Sequence, residues 1–121
     1  MESILDTIKK LIGVDVSDDS FDPDIIIDIN SAIFTLSQMG IGPKNGFIVI
    51  DRTQKWSDYI NSSTISLEGI KSYIHLQTKL VFDPPTNSTV IDSIRRKIQE
   101  LEWRLMLAVE TNNLEVQNAS I

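Results

Sequence analysis

Few residues in this chain could carry out chemistry, and their spacing does not assemble a catalytic set. His75 is the single histidine. Acid–base catalysis needs such a ring beside a positioned partner, and Tyr73 and Ile74 next to it read instead as the packing face of a helix. Serine and threonine never fall in a nucleophile-elbow pattern. Gly40-Ile41-Gly42-Pro43 lacks the preceding strand and following helix that a phosphate cradle requires. The chain has no cysteine, which excludes thiolate catalysis, cysteine zinc sites and disulfides. Asp15, Asp18, Asp19, Asp22 and Asp24 invite a calcium reading, but the Asp-x-Asp-x-Asp-Gly spacing and the distal bidentate Glu are missing. These acids are better accounted for as a helix cap, a helix N-terminus and solvated surface. The expectation is a protein that is not an enzyme and holds no cofactor or metal.

Other residues are suited to recognition. Arg95-Arg96-Lys97 is a basic triplet whose three side chains spread over about 200° of a helix. It reads as a solvated face with local pairs such as Arg96–Glu100 and Lys97–Glu100, or as a patch that meets an acidic surface on a neighbouring subunit. Trp103 stands off the apolar seam of its helix. It fits either packing against a second element or an interface anchor, a role in which tryptophan is enriched. Trp56 is the other candidate of that kind.

Charge narrows the partners. Seventeen acids against eleven bases leave a net charge of -6 and a pI near 4.6. Residues 1–30 hold eight of the acids and only two bases, Lys9 and Lys10, so the imbalance lies in the first quarter of the chain. A dedicated nucleic-acid binder would need clustered Lys and Arg. No stretch approaches the ~20 apolar residues that span a bilayer, and the acidic start predicts no signal peptide. The length, 121 residues, suits one domain with one core.

The elements that must position these residues follow from apolar periodicity. Ile4, Leu5, Ile8, Leu11 and Ile12 predict a first helix, capped by Ser3 and ended by Gly13. Asp22-Pro23 reads as an N-cap and first helical residue, with Phe21 and Ile26 as a hydrophobic staple. The helix that follows, to Gly40, is apolar on more than one face and predicts a central element packed on two sides. Phe47 to Ile50 is either a small strand or an extended buried loop. Thr53 caps a short helix over Gln54–Ile60, and Asn61–Thr64 is a polar link. A further helix runs from about Ser66 to Phe82 and is stopped by Pro84-Pro85. The last begins near Asn87 or Ser88 and carries Ile91, Ile94, Ile98, Leu101, Leu105 and Ala108, a seam of about three heptads. Residues 111–121 have no stripe and are expected as a flexible C-terminal tail. The fold class expected is all-α: a small bundle of four main helices plus a short helix and a partly extended middle loop, with a helical domain over 1–110.

Several motifs in order carry a resemblance. They are Asp22-Pro23-Asp24, Gly40-Ile41-Gly42-Pro43, Gly46-Phe47, Trp56-Ser57-Asp58-Tyr59, Leu80 through Thr86, and Glu100-Leu101-Glu102-Trp103-Arg104-Leu105. Together they resemble the small head–tail connector proteins, adaptor or head-completion, of tailed phages and prophages of Gram-positive bacteria, over about residues 1–110. The resemblance implies a non-enzymatic virion protein that joins a ring of about twelve copies beneath the portal. Such a ring extends the DNA channel and docks the next connector, stopper or tail component. DNA passes the lumen without sequence-specific binding. Its implied place is the head–tail junction of a virion assembled in the host bacterial cytoplasm, with no membrane involved. Within that reading Arg95, Arg96, Trp103, Trp56, Leu114 and Val116 are candidate subunit or partner contacts. Asp15, Asp18 and Asp19 are candidates for an acidic collar. The competing readings are a small acidic cytosolic regulator that binds a protein, and a stopper-type head-completion protein.

Overall fold

In the computed structural model the chain folds into five helices among the described residues, which are 2–61 and 65–119, with side chains described to Leu114. They are α1 (Ile4–Leu11), α2 (Asp22–Gln38), α3 (Trp56–Tyr59), α4 (Leu67–Phe82) and α5 (Ser88–Ala119). Local chemistry starts them where the sequence indicates. The Ser3 hydroxyl accepts from the Asp6 N–H at 3.2 Å, and Ser66 accepts from Gly69 at 3.2 Å. The Asn87 side chain accepts from Thr89 at 2.8 Å. Each such cap is worth about 1 kcal/mol.

The core lies where the apolar stripes of α1, α2, α4 and α5 converge. Ile4, Ile8, Ile25, Ile29, Leu36, Ile70, Ile74 and the α5 seam residues Ile98, Leu101 and Leu105 are all buried. α4 is the hub, packing on α1, α2 and α5. This corrects the expectation for α2. It packs on α4 and α1 with one face, while Ile27 and Phe34 on the other face stand exposed.

Three local expectations also change. α2 begins at Asp22 itself, with no side-chain cap, because the Asp22 carboxylate is taken by Lys9 at 2.8 Å. Phe21, expected as a staple to Ile26, meets Phe82 edge-on, ring centroids 5.7 Å apart. The short helix is a single turn, Trp56–Tyr59. Thr53 is drawn away from capping it, since both its N–H and its hydroxyl donate to Asp51.

The middle segment is extended but makes no strand. Asn30 on α2 clamps it: its amide nitrogen donates to the Val49 carbonyl at 2.9 Å, and its oxygen accepts the Val49 N–H at 2.8 Å. A side chain thus supplies what a neighbouring strand would. Val49 points inward, and Ile48 and Ile50 point out. The turn before it needs Gly42, whose φ is +99° and whose missing Cβ would sit 2.8 Å from the Tyr59 ring.

Residues 111–119, expected as a tail, continue α5 as helix. Between Ser88 and Ala119 the sequence has neither Gly nor Pro, so an established helix propagates at low cost even through Asn112-Asn113. The polar link expected at Asn61–Thr64 lies, from Ser62 on, outside the described residues, as do the tail's last two residues, Ser120 and Ile121.

Candidate functional site

α5 has two faces. Ile98, Leu101 and Leu105 turn into the core. At about 100° per residue, Arg96, Trp103, Leu107 and Leu114 fall together on the opposite side, seven, eleven and eighteen residues along from the first. All four are exposed, Trp103 to 65%. Arg95 is exposed on the flank of that row. The expected Arg96–Glu100 pair is not formed. Glu100 instead takes Arg104 at 2.6 Å, with Lys97 at 3.9 Å, and Arg96 donates only to the Ser93 hydroxyl at 3.3 Å. Among the described residues, Arg95 and Arg96 have no carboxylate within ion-pair distance.

A second unpartnered face lies on α2. Ile27 and Phe34, two turns apart, are 65% and 63% exposed. Phe34 forms one wall of an open groove of about 1000 Å³ whose other walls are Pro43, Phe47 and Ile48. Ile27 borders a smaller hollow with Val81 and Phe21, rimmed by Asp24 and Asp28. Partial burial and the neighbouring Asp24 charge hold the Asp28 carboxyl above its ordinary range.

Trp56 has a different role from the one expected. It is 0% exposed and offers no surface to a partner. Its indole N–H donates to the Thr7 hydroxyl at 3.0 Å, and the Lys71 ammonium lies 5.4 Å from the ring centroid. It anchors the loop to α1 and α4. Val116 is on the last turns of α5, and its side chain lies outside the described residues.

The acidic loop between α1 and α2 is built around Lys9. That side chain is 1% exposed, and its ammonium donates to the Val16 carbonyl at 3.1 Å and the Asp18 carbonyl at 2.7 Å, besides pairing with Asp22. Asp15 and Asp18 each fold their carboxylate back onto a serine two residues on, Ser17 and Ser20. These hydrogen bonds hold both carboxyls below the usual range. Asp19, next to Asp18, stands exposed. The loop therefore presents ionised carboxylates outward over a buried cation. Elsewhere the titratable groups make no site: His75 is half-buried, and no group of acids, histidines or cysteines among the described residues could hold a metal ion.

A family model described as phage connector protein matches residues 4–112. The chain belongs to that family. Searches of the curated proteins and of the solved structures find no match. The connector family is structural rather than enzymatic, and its members are virion components that interact with other virion components. No helix of this connector is long and apolar enough to cross a membrane among the described residues.

Within this connector, Arg96, Trp103 and Leu114 share one face, Asp15, Asp18 and Asp19 share one loop, and Trp56 joins neither. Sequence reading missed Lys9, Ile27, Phe34 and Leu107. For Leu107 a signal was available, because it repeats four residues after Trp103 and seven before Leu114 on the side away from the seam. Lys9 carries no such signal: its position beside the first apolar stripe is that of many exposed lysines.

Proposed function

We propose that this connector is a head–tail adaptor: a ring of about twelve copies beneath the portal that extends the DNA channel and docks the next connector or tail component. One observation carries the reading. A subunit of this size leaves large apolar side chains exposed on two separate helices, Trp103 and Leu107 on α5 and Ile27 and Phe34 on α2. Monomeric proteins avoid such faces, whereas a closed head-to-tail ring requires two per subunit.

Charge supports the same role. Acids repeated around a ring repel phosphate, so DNA slides past rather than being held. The two ends of the bundle also differ. The acidic loop lies at the Phe21–Phe82 end, while α5 runs on beyond Val109, which is level with Gly40, at the other. A ring of such subunits offers one kind of surface to the head side and another to the tail side. Leu114 and Val116, on the overhang, are the residues we assign to gripping the portal or an adjacent component, and Asp15, Asp18 and Asp19 to the acidic collar.

Imaging purified particles tests the reading. A ring of this chain between portal and tail is the expected result. A protein found free in the host cytoplasm as monomer or dimer, and absent from particles, would instead be a small acidic regulator. A ring displaced one layer below the portal-bound component would make it a stopper.

A further inference from the structure

The two bare faces match each other in charge and in height. α2 holds three carboxylates and no base; Asp22 is taken by Lys9, which leaves Asp24 and Asp28. Residues 95–104 of α5 hold four bases and two acids. The heights come from contacts inside one subunit. α4 is antiparallel to α5, with Gly69 against Leu105 and the Tyr73 hydroxyl donating to Glu102 at 3.3 Å. It is antiparallel to α2 as well, since Phe21 meets Phe82, and Thr35 shares a hollow with Gln77. α2 and α5 therefore run the same way, and Gly40 faces Val109. Both helices rise about 1.5 Å per residue, so stepping back from that contact places Phe34 level with Trp103, Ile27 with Arg96, and Asp28 with Lys97.

Rotation about a ring axis leaves height unchanged. With the helices standing along that axis, residues level within one subunit are level across the contact between two. We propose that the outer face of α2 on one copy receives the outer face of α5 on the next, with Trp103 entering the groove beside Phe34 and Arg96, flanked by Arg95, set against Asp24 and Asp28. The occupant of the groove is thus a second copy of this chain. The contact is heterologous, joining two different surfaces, and it can close a ring. Arg95 and Arg96, which have no carboxylate partner among the described residues of their own subunit, gain one. Asp28, crowded by Asp24, gains a cation. This assignment rests on the ring reading above and goes further by naming the two surfaces.

The absence of native cysteine makes a direct test possible. The full chain carrying both Ser31→Cys and Gln99→Cys, exposed positions level to within one residue that lie beside the Phe34–Trp103 contact and leave it intact, is treated with a short bis-maleimide, alone and on portal-bearing heads. The expected product is a ladder of oligomers reaching the closed ring, with each single substitution yielding monomer only. Unaltered rings that give no cross-link, or a ladder that stops at dimer, would overturn the interface and leave the ring reading standing. Failure of the unaltered protein to form rings under either condition would overturn both.

Charge reversal provides a second measurement. Arg95→Glu with Arg96→Glu, and separately Asp24→Lys with Asp28→Lys, should each abolish rings while leaving the helical circular-dichroism signal intact. All four substitutions in one chain should restore ring assembly. Normal rings from either pair alone, or a folded four-fold variant that stays monomeric, would overturn the charge pairing.

Discussion

Lys9 lies under an acidic loop and holds it from below. A buried ammonium is tolerated only when it is paired and hydrogen-bonded, and here two carbonyls and the Asp22 carboxylate meet that need. Replacing it removes the cation and leaves those acceptors without a donor. Lys9→Met should therefore cost about 3 kcal/mol, the low end for breaking a buried pair because Asp22 is partly exposed. Urea unfolding of the variant measures this. His75 makes the opposite kind of contribution. Burial, reinforced by the Lys79 charge, lowers its pKa beneath the ordinary 6.5, and a hydrogen bond with the Leu11 backbone opposes the shift only in part. The unfolded chain takes up this proton more readily than the folded one. Stability from the neutral ring is therefore present above pH 6.5 and is lost as pH falls through the folded-state value. His75→Gln should remove that component, so the difference in Tm between the two proteins should change as the pH is lowered from neutral.

At the scale of elements, α5 does two jobs with one helix. Its first five turns complete the core through Ile98, Leu101 and Leu105. Its last turns run past the end of α2 without a buried residue after Leu105 among those described. The ten residues beyond Val109 extend about 15 Å, enough to reach a neighbouring component. Because the core does not depend on them, deleting residues 112–121 should leave urea stability within about 0.5 kcal/mol while blocking head–tail joining. Normal joining by the shortened protein would remove this overhang from the partner contacts. The middle segment behaves differently, being held at both ends: Asn30 clamps Val49, and the Ile4 N–H donates to the Gln54 carbonyl at 3.0 Å. It is a fixed wall of the groove beside Phe34, suited to receiving a side chain rather than reaching for one.

For the whole molecule, the net charge of -6 divides between two uses in the proposed assembly. Asp24 and Asp28 meet the next copy, and Asp15, Asp18 and Asp19 stay in solvent at one end of the ring. The serine hydrogen bonds that lower Asp15 and Asp18 favour their charged form, so a ring would keep these two carboxylates of its collar ionised to lower pH than ordinary aspartates.

Much of this was legible in the sequence. Apolar periodicity, Ser3 as a cap and Pro84-Pro85 as a stop placed the helix starts and the end of α4 to within a residue or two, because each signal acts through neighbours along the chain, whereas the end of α5 lies nine residues beyond the expected one. The absence of cysteine and of a paired acid–base set argued against catalysis in the same local way. Tertiary structure alone decided what each apolar face meets. The isoleucines of α2 look alike in sequence, yet Ile25 and Ile29 enter the core and Ile27 faces water, because α4 covers only one side. Trp56 and Trp103 are chemically identical, but one is sealed between α1 and α4 and the other stands on the outer face of α5. Lys9 differs from Lys10 only in that a loop closes over it. Periodicity specifies which residues share a face, and only packing between elements distant in the chain specifies whether that face is filled.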